Sequence, residues 1–211
     1  MPATKKLIEG YLRFRNGFFK EKKAFLKKLA DDGQSPKIAL VSCCDARVEP
    51  SIILDCNPGD LFVIRNVANL VPPCENNDSY HGTSAALEFA IRELGVESII
   101  VLGHTNCGGI KNLMDKPPSF LKNSFIETWM MQLDNVRHKI IHDEKFPTLD
   151  DKYHACEKYG ILQSLKNLRT FPWIDERVID GRLELHGWYY DLTQAQLHVF
   201  EEDKKGFQRI L

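Results

Sequence analysis

Residues 79–104, SYHGTSAALEFAIRELGVESIIVLGH, change periodicity without an intervening linker. Ala85, Leu87, Phe89, Ala90, Ile91 and Leu94 fall at helical spacing, and Gly95 is a helix stop. ESIIVLGH (97–104) follows at once as a continuous apolar run, the pattern of a strand covered on both faces. Upstream, KIALVSC (37–43) is a second such run, and DLFVIRNVAN (60–69), after the turn signal NPGD, is a third. Downstream, 125–143 and 156–171 read as helices and RLELHGWYYD (182–191) as a late strand. Strands alternating with helices predict an α/β fold with a central, mostly parallel sheet flanked by helices. Ligands of such sheets gather at the carboxyl ends of the strands.

Residues 5–30 carry a helical apolar pattern broken near Gly17. Nine Lys or Arg lie between Lys5 and Lys28 against Glu9 and Glu21, so this is a basic amphipathic arm ending at DDGQSP. The expected organisation is an N-terminal helical arm over 1–32 and a single α/β domain over 33–211, the arm having a solvated basic face, packing on a partner subunit or binding a membrane surface. The whole chain of 211 residues has a formal net charge of -1, which excludes a general nucleic-acid binder. No window is apolar enough for a membrane span, and the first residues lack a secretory pattern. The six cysteines are therefore expected as reduced thiols in a cytoplasmic protein.

Two strand ends carry unusual chemistry. The run at 37–43 leads into Cys43-Cys44-Asp45-Ala46-Arg47, where extended geometry puts Cys43, Asp45 and Arg47 on one side and Cys44 on the other. The run at 97–104 leads into His104-Thr105-Asn106-Cys107-Gly108-Gly109. Cys43, His104 and Cys107 offer two thiolates and an imidazole, a donor set suited to zinc, and three protein ligands leave the fourth position of a catalytic site. Cys44, Cys56, Cys74 and Cys156 are expected as small core residues. His138 and His142 are read as part of a solvated helix face, and His81 as a candidate proton relay.

C-x-D-x-R followed some sixty residues later by H-x-x-C-G-G resembles the β-class carbonic anhydrases, as do PGDLFVIRNVANLVPP (58–73) and HGWYYD (186–191). The resemblance implies reversible hydration of carbon dioxide to bicarbonate, with the sheet extended across a homodimer and assembly as a dimer or tetramer. It implies zinc held by Cys43, His104 and Cys107, and a catalytic pair in which Asp45, held by Arg47, orients hydroxide on the metal. Asp45 is also the implied fourth ligand of a closed state, in which activity falls steeply towards acidic pH. GQSPK (33–37) is similar to plant-type members, whose glutamine enters the partner's site; here it is Gln34. Phe62 matches an apolar residue of the family's substrate pocket, Val67 is expected as a further apolar wall, Phe89 replaces a frequent tyrosine, and a backbone N–H near Gly108 is expected to steady the bicarbonate oxygen. Arg65 and Tyr190 match two members of an inhibitory bicarbonate site of some bacterial relatives, but Leu40 replaces its tryptophan, so that site is not expected.

Other readings of the same residues are a zinc hydrolase acting on carbon disulfide or carbonyl sulfide, a non-catalytic zinc-binding regulatory module, and thiol catalysis by Cys43 with His104 as base.

Overall fold

The computed structural model describes residues 3–115 and 124–210; residues 1–2 of the arm, and 116–123 and 211 beyond it, lie outside the described residues. The chain opens with α1 (Ala3–Asn16), α2 (Phe18–Glu21) and α3 (Lys23–Asp32), the break falling at Gly17. Next come β1 (Ile38–Cys43), α4 (Pro50–Ile53), β2 (Leu61–Asn66) and a 3-10 turn, Val67–Asn69. The helix α5 (Gly82–Glu88) runs into a wider π-helical turn, Phe89–Glu93, before β3 (Ser98–His104) and α6 (Gly108–Asp115). The remainder holds α7 (Phe125–Met130), α8 (Asp134–Ile141), α9 (Leu149–Leu168), α10 (Pro172–Ile179), β4 (Glu184–Asp191), β5 (Gln196–Glu201) and β6 (Gly206–Arg209).

These strands form one sheet in the order β2-β1-β3-β4-β5-β6. The first four are parallel and the last two antiparallel, so the fold is the α/β architecture expected. β1 and β3 are central and buried at every position after the first, which is why they read as unbroken apolar runs. Their pairing puts Ser42 opposite Leu102, so the residues that follow each strand emerge side by side.

Glycine lets α9 lie close on the sheet. A Cβ on Gly103 would sit 2.7 Å from Cδ1 of Ile161, and one on Gly187 3.0 Å from Cγ2 of the same residue. Ile161 is fully buried and belongs to the main core with Val41, Ile99, Val101 and Tyr189.

Several boundaries differ from the sequence reading. The 60–69 run stops pairing at Asn66, because Ala68 and Asn69 turn into the left-handed region at φ 62° and 50°. The 125–143 segment is two helices joined by a 3-10 turn rather than one. α9 begins seven residues earlier than read, behind a reciprocal cap between Thr148 and Asp151. The hairpin β5–β6 has no counterpart in the sequence reading. Nor have α6 and α10.

Candidate metal centre

β1 ends at Cys43, and the loop after it is built around Arg65 on β2. Arg65 donates to the Cys43 carbonyl from Nε and Nη2 at 3.1 and 3.0 Å, and from Nη2 to the carbonyls of Asp45 and Val48 at 3.0 and 2.5 Å. Its Nη1 pairs with Glu49 at 2.9 Å. β3 ends at His104, Asn106 turns at φ 58°, and α6 starts at Gly108. Gly109 allows that start: a Cβ there would lie 2.8 Å from Cγ1 of Val67.

The two loops bring Cys43, His104 and Cys107 together, with their ligand atoms all within 4.8 Å of one another. The sulfurs are 4.0 Å apart. Two sulfurs bound tetrahedrally to one zinc ion stand about 3.8 Å apart. All three residues are buried, His104 to 1% exposure. The His104 Nδ1 lies 2.8 Å from the Thr105 carbonyl, so Nδ1 carries the hydrogen and Nε2 presents its lone pair. Nε2 is buried without a hydrogen-bond partner, the orphan that a metal satisfies. Hydrogen bonding from Cys107 takes the Cys43 thiol down to about 4. That same contact, with burial, raises Cys107, against the pull of the Ile110 and Gly109 amides at the start of α6. Two thiols that share a proton in this way both ionise when a dication joins them, and the donor set fits zinc.

Asp45 and Arg47 sit at the rim. Arg47 grips both Asp45 oxygens, Nε to Oδ1 at 2.9 Å and Nη2 to Oδ2 at 2.7 Å, and its amide donates to Oδ1 at 3.0 Å. The Arg47 guanidinium, outweighing burial, holds the Asp45 carboxyl well below the usual carboxylate range. Asp45 Oδ2 is 4.0 Å from His104 Nε2. With the Arg47 side chain 56% exposed, solvent screens the pair and its net stabilisation is about 1 kcal/mol at most.

The other expected site residues separate into two groups. Val67 packs, with Trp129, against the core cluster that contains Cys43 and Cys107, and Trp129 Nε1 donates to its carbonyl at 2.8 Å. Gly108 faces open space, since a Cβ there would meet nothing within 4 Å. Phe62 and Phe89 stack on each other at 5.9 Å, but Phe62 pairs with Ala39, four residues before Cys43. That places it about 13 Å along the strand from the metal ligands. Gln34 is exposed before the start of β1, also at the far end.

Cys156 is buried as expected, but Cys44 and Cys74 are exposed and Cys56 is partly so. Cys44 follows the last strand residue and turns outward, towards a cavity of 1160 Å³ that Val67 and Trp129 also line. His81 lines the same cavity and lies 2.7 Å from the Asn77 side chain. His138 and His142 are exposed. Leu40 is fully buried with Ile100, Trp188 and Tyr190, while Arg65 is committed to its carbonyls.

Sequence reasoning missed Glu157. It is 4% exposed on α9, and its Oε1 accepts the backbone N–H of Cys107 at 2.9 Å. No local pattern marks a contact between residues fifty positions apart; the only hint is an acid on the buried face of a helix.

A family model described as "Carbonic anhydrase" matches residues 38–197. The chain is 35% identical over 207 residues to beta carbonic anhydrase 3 of Arabidopsis thaliana, covering 97% of this chain and 80% of that protein. The solved β-carbonic anhydrase CcaA is 32% identical, with a TM-score of 0.92 over 100% of this chain and 93% of that one. A tetrameric β-carbonic anhydrase of Sordaria macrospora is 25% identical, with a TM-score of 0.84 over 95% of this chain and 98% of that one. Both the match across the sheet and the Cys-His-Cys cluster at its carboxyl edge lead to one conclusion: this chain belongs to the β-class carbonic anhydrases, which are zinc lyases.

Proposed function

We propose that this chain hydrates carbon dioxide reversibly at the Cys43–His104–Cys107 centre, with Asp45 as the catalytic residue that orients the attacking oxygen and Arg47 as the residue that positions Asp45. The observation that carries the reading is the bidentate Arg47–Asp45 pair, with Asp45 Oδ2 only 4.0 Å from the orphaned His104 Nε2. Zinc, when bound, supplies hydroxide at neutral pH by acidifying water. With zinc held by Cys43, His104 and Cys107, an ionised Asp45 would accept the hydrogen of the hydroxide it supplies and so orient an oxygen lone pair; that oxygen would add to the carbon of carbon dioxide, one C=O pair moving to oxygen, with the proton lost by water passing to solvent. Arg47 is ordered by Asp45 and by the Asn106 carbonyl at 2.9 Å, so this orientation exists before substrate arrives. The open space at Gly108 and the apolar side of Val67 suit a small uncharged molecule. Release of Asp45 by Arg47 would allow the carboxylate to close the centre itself.

Gln34, Phe62 and Phe89 are too far along the sheet to serve the centre of their own chain. We assign them to the pocket of a second copy in a dimer or tetramer, with the sheet continuing across the dimer. The arm over 1–32 supports the same assembly, because Leu7, Ile8, Tyr11 and Leu12 are 73, 61, 56 and 47% exposed in the single chain. Residues 33–211 form the catalytic unit. The six free cysteines agree with a reducing compartment, for which we take the cytoplasm, and no helix among the described residues is long and apolar enough to cross a membrane.

Stopped-flow hydration by protein of known zinc content, from pH 6.5 to 9, tests the reading beside Asp45→Asn. Fast zinc-dependent turnover that collapses in the variant supports it; equal turnover in the two proteins overturns the role of the pair.

A further inference from the structure

The side chain of Glu157 is 2% exposed. A carboxylate so placed is costly unless its oxygens are satisfied. Oε1 takes the Cys107 N–H at 2.9 Å, and Oε2 takes the Tyr189 hydroxyl at 2.7 Å. His154 Nδ1 is 3.2 Å from Oε2, and its Nε2 is 3.4 Å from Asp150 Oδ2. With the proton on Nδ1, the Cys107 N–H, the Tyr189 hydroxyl and the His154 ring can all donate to Glu157, and the Tyr189 hydroxyl also lies 3.2 Å from His154 Nδ1.

Cys107 is thus held at both ends by different elements. Its sulfur draws on the Ile110 and Gly109 amides of α6 and on Cys43, while its own amide points the other way, to α9. Tyr189 and His154 also line a cavity of 840 Å³.

We infer that Glu157 is a positioning residue of the metal centre: it fixes the Cys107 backbone and is itself fixed by Tyr189 and His154. The inference rests on Cys43, His104 and Cys107 holding zinc. Supporting groups of this kind set metal affinity by about 10- to 100-fold.

The test uses the full chain loaded with zinc, and a cobalt-substituted form, for wild type, Glu157→Gln, Tyr189→Phe and the control Ile161→Val, whose side chain faces Gly103 and Gly187. Zinc affinity is read by competition with a chromogenic chelator, ligand geometry by the visible bands of cobalt, and stability by thermal unfolding. Expected are a fall in zinc affinity of about 10-fold or more for Glu157→Gln, a smaller fall for Tyr189→Phe, and displaced cobalt bands in both. Ile161→Val should lose stability with zinc affinity and spectrum unchanged. Wild-type affinity and spectrum in Glu157→Gln, or an equal loss of zinc from Ile161→Val, would overturn the inference. Should Glu157→Gln fail to fold, Tyr189→Phe decides: wild-type zinc affinity and spectrum there also overturn it. Failure of the wild type to bind one zinc per chain would instead remove the metal-centre reading beneath it.

Discussion

Arg47 Nη2 donates to the Asn106 carbonyl at 2.9 Å while holding Asp45 Oδ2 at 2.7 Å. One nitrogen thereby joins the loop after β1 to the loop that carries His104 and Cys107. The pair is thereby tied to the loop between the metal ligands His104 and Cys107 rather than resting on the surface beside it.

Replacing Asp45 by Asn keeps the shape and removes the charge that, in the proposed mechanism, accepts the hydroxide's hydrogen. Turnover should fall by about 100-fold or more, with zinc content unchanged. Arg47→Lys keeps the charge but not the fork, and should lower turnover in the same direction. Stopped-flow rates beside metal analysis check both, and a zinc-replete Arg47→Lys of wild-type rate would show that the fork is dispensable.

The carboxyl of Asp45 is lowered in the folded protein, chiefly by the Arg47 guanidinium. Its ionised form therefore stabilises the fold. That contribution is complete above the ordinary aspartate value of about 3.9, and is lost as pH falls through the lower folded value. The stability difference between wild type and Asp45→Asn should stay level from about pH 7 to 5 and shrink below about pH 4, as urea unfolding at each pH would show. Protonation of Asp45 then plays no part in activity lost between pH 8 and 6.5. A profile there steeper than one proton would report the Asp45–Arg47 pair opening.

Stripping zinc with a chelator should abolish turnover and lower the unfolding temperature, and adding zinc should restore both. Cys107→Ser should bind zinc more weakly. A thiol enzyme using Cys43 would keep its activity through chelation, so one dialysis experiment separates the two chemistries.

Gly103→Ala places a methyl against Ile161 Cδ1, 2.7 Å from the ideal Cβ position. Destabilisation of about 1–3 kcal/mol is expected, measured by urea unfolding. Because Gly103 precedes His104, zinc affinity should fall as well.

Removing residues 1–32 takes away the apolar faces of α1–α3, of which Phe14, Phe18, Phe19 and Phe25 are each 38% exposed or more. The assembly should dissociate at higher concentration than the full chain. Light scattering over a dilution series measures this, and an unchanged profile would leave the arm without a role in assembly.

The strands β1 and β3 were legible because burial on both faces demands an uninterrupted apolar run, a property of neighbouring residues. The metal ligands were legible for a related reason: each short motif leaves a strand at its carboxyl end, and alternation separates Cys43 from Cys44. The break at Gly17 and the helix through Leu87 and Ile91 are local in the same sense. The β5–β6 hairpin was missed because its strands are only partly buried and their alternation is weak. Nothing local joins Glu157 to Cys107, Arg47 to Asn106 or Arg65 to the Cys43 carbonyl. Those contacts exist because β1 pairs in register with both β2 and β3 and because two glycines let α9 settle on the sheet. Local periodicity thus chose the elements and the chemistry of the ligands, whereas packing between distant segments decided which charged and polar groups hold them in place.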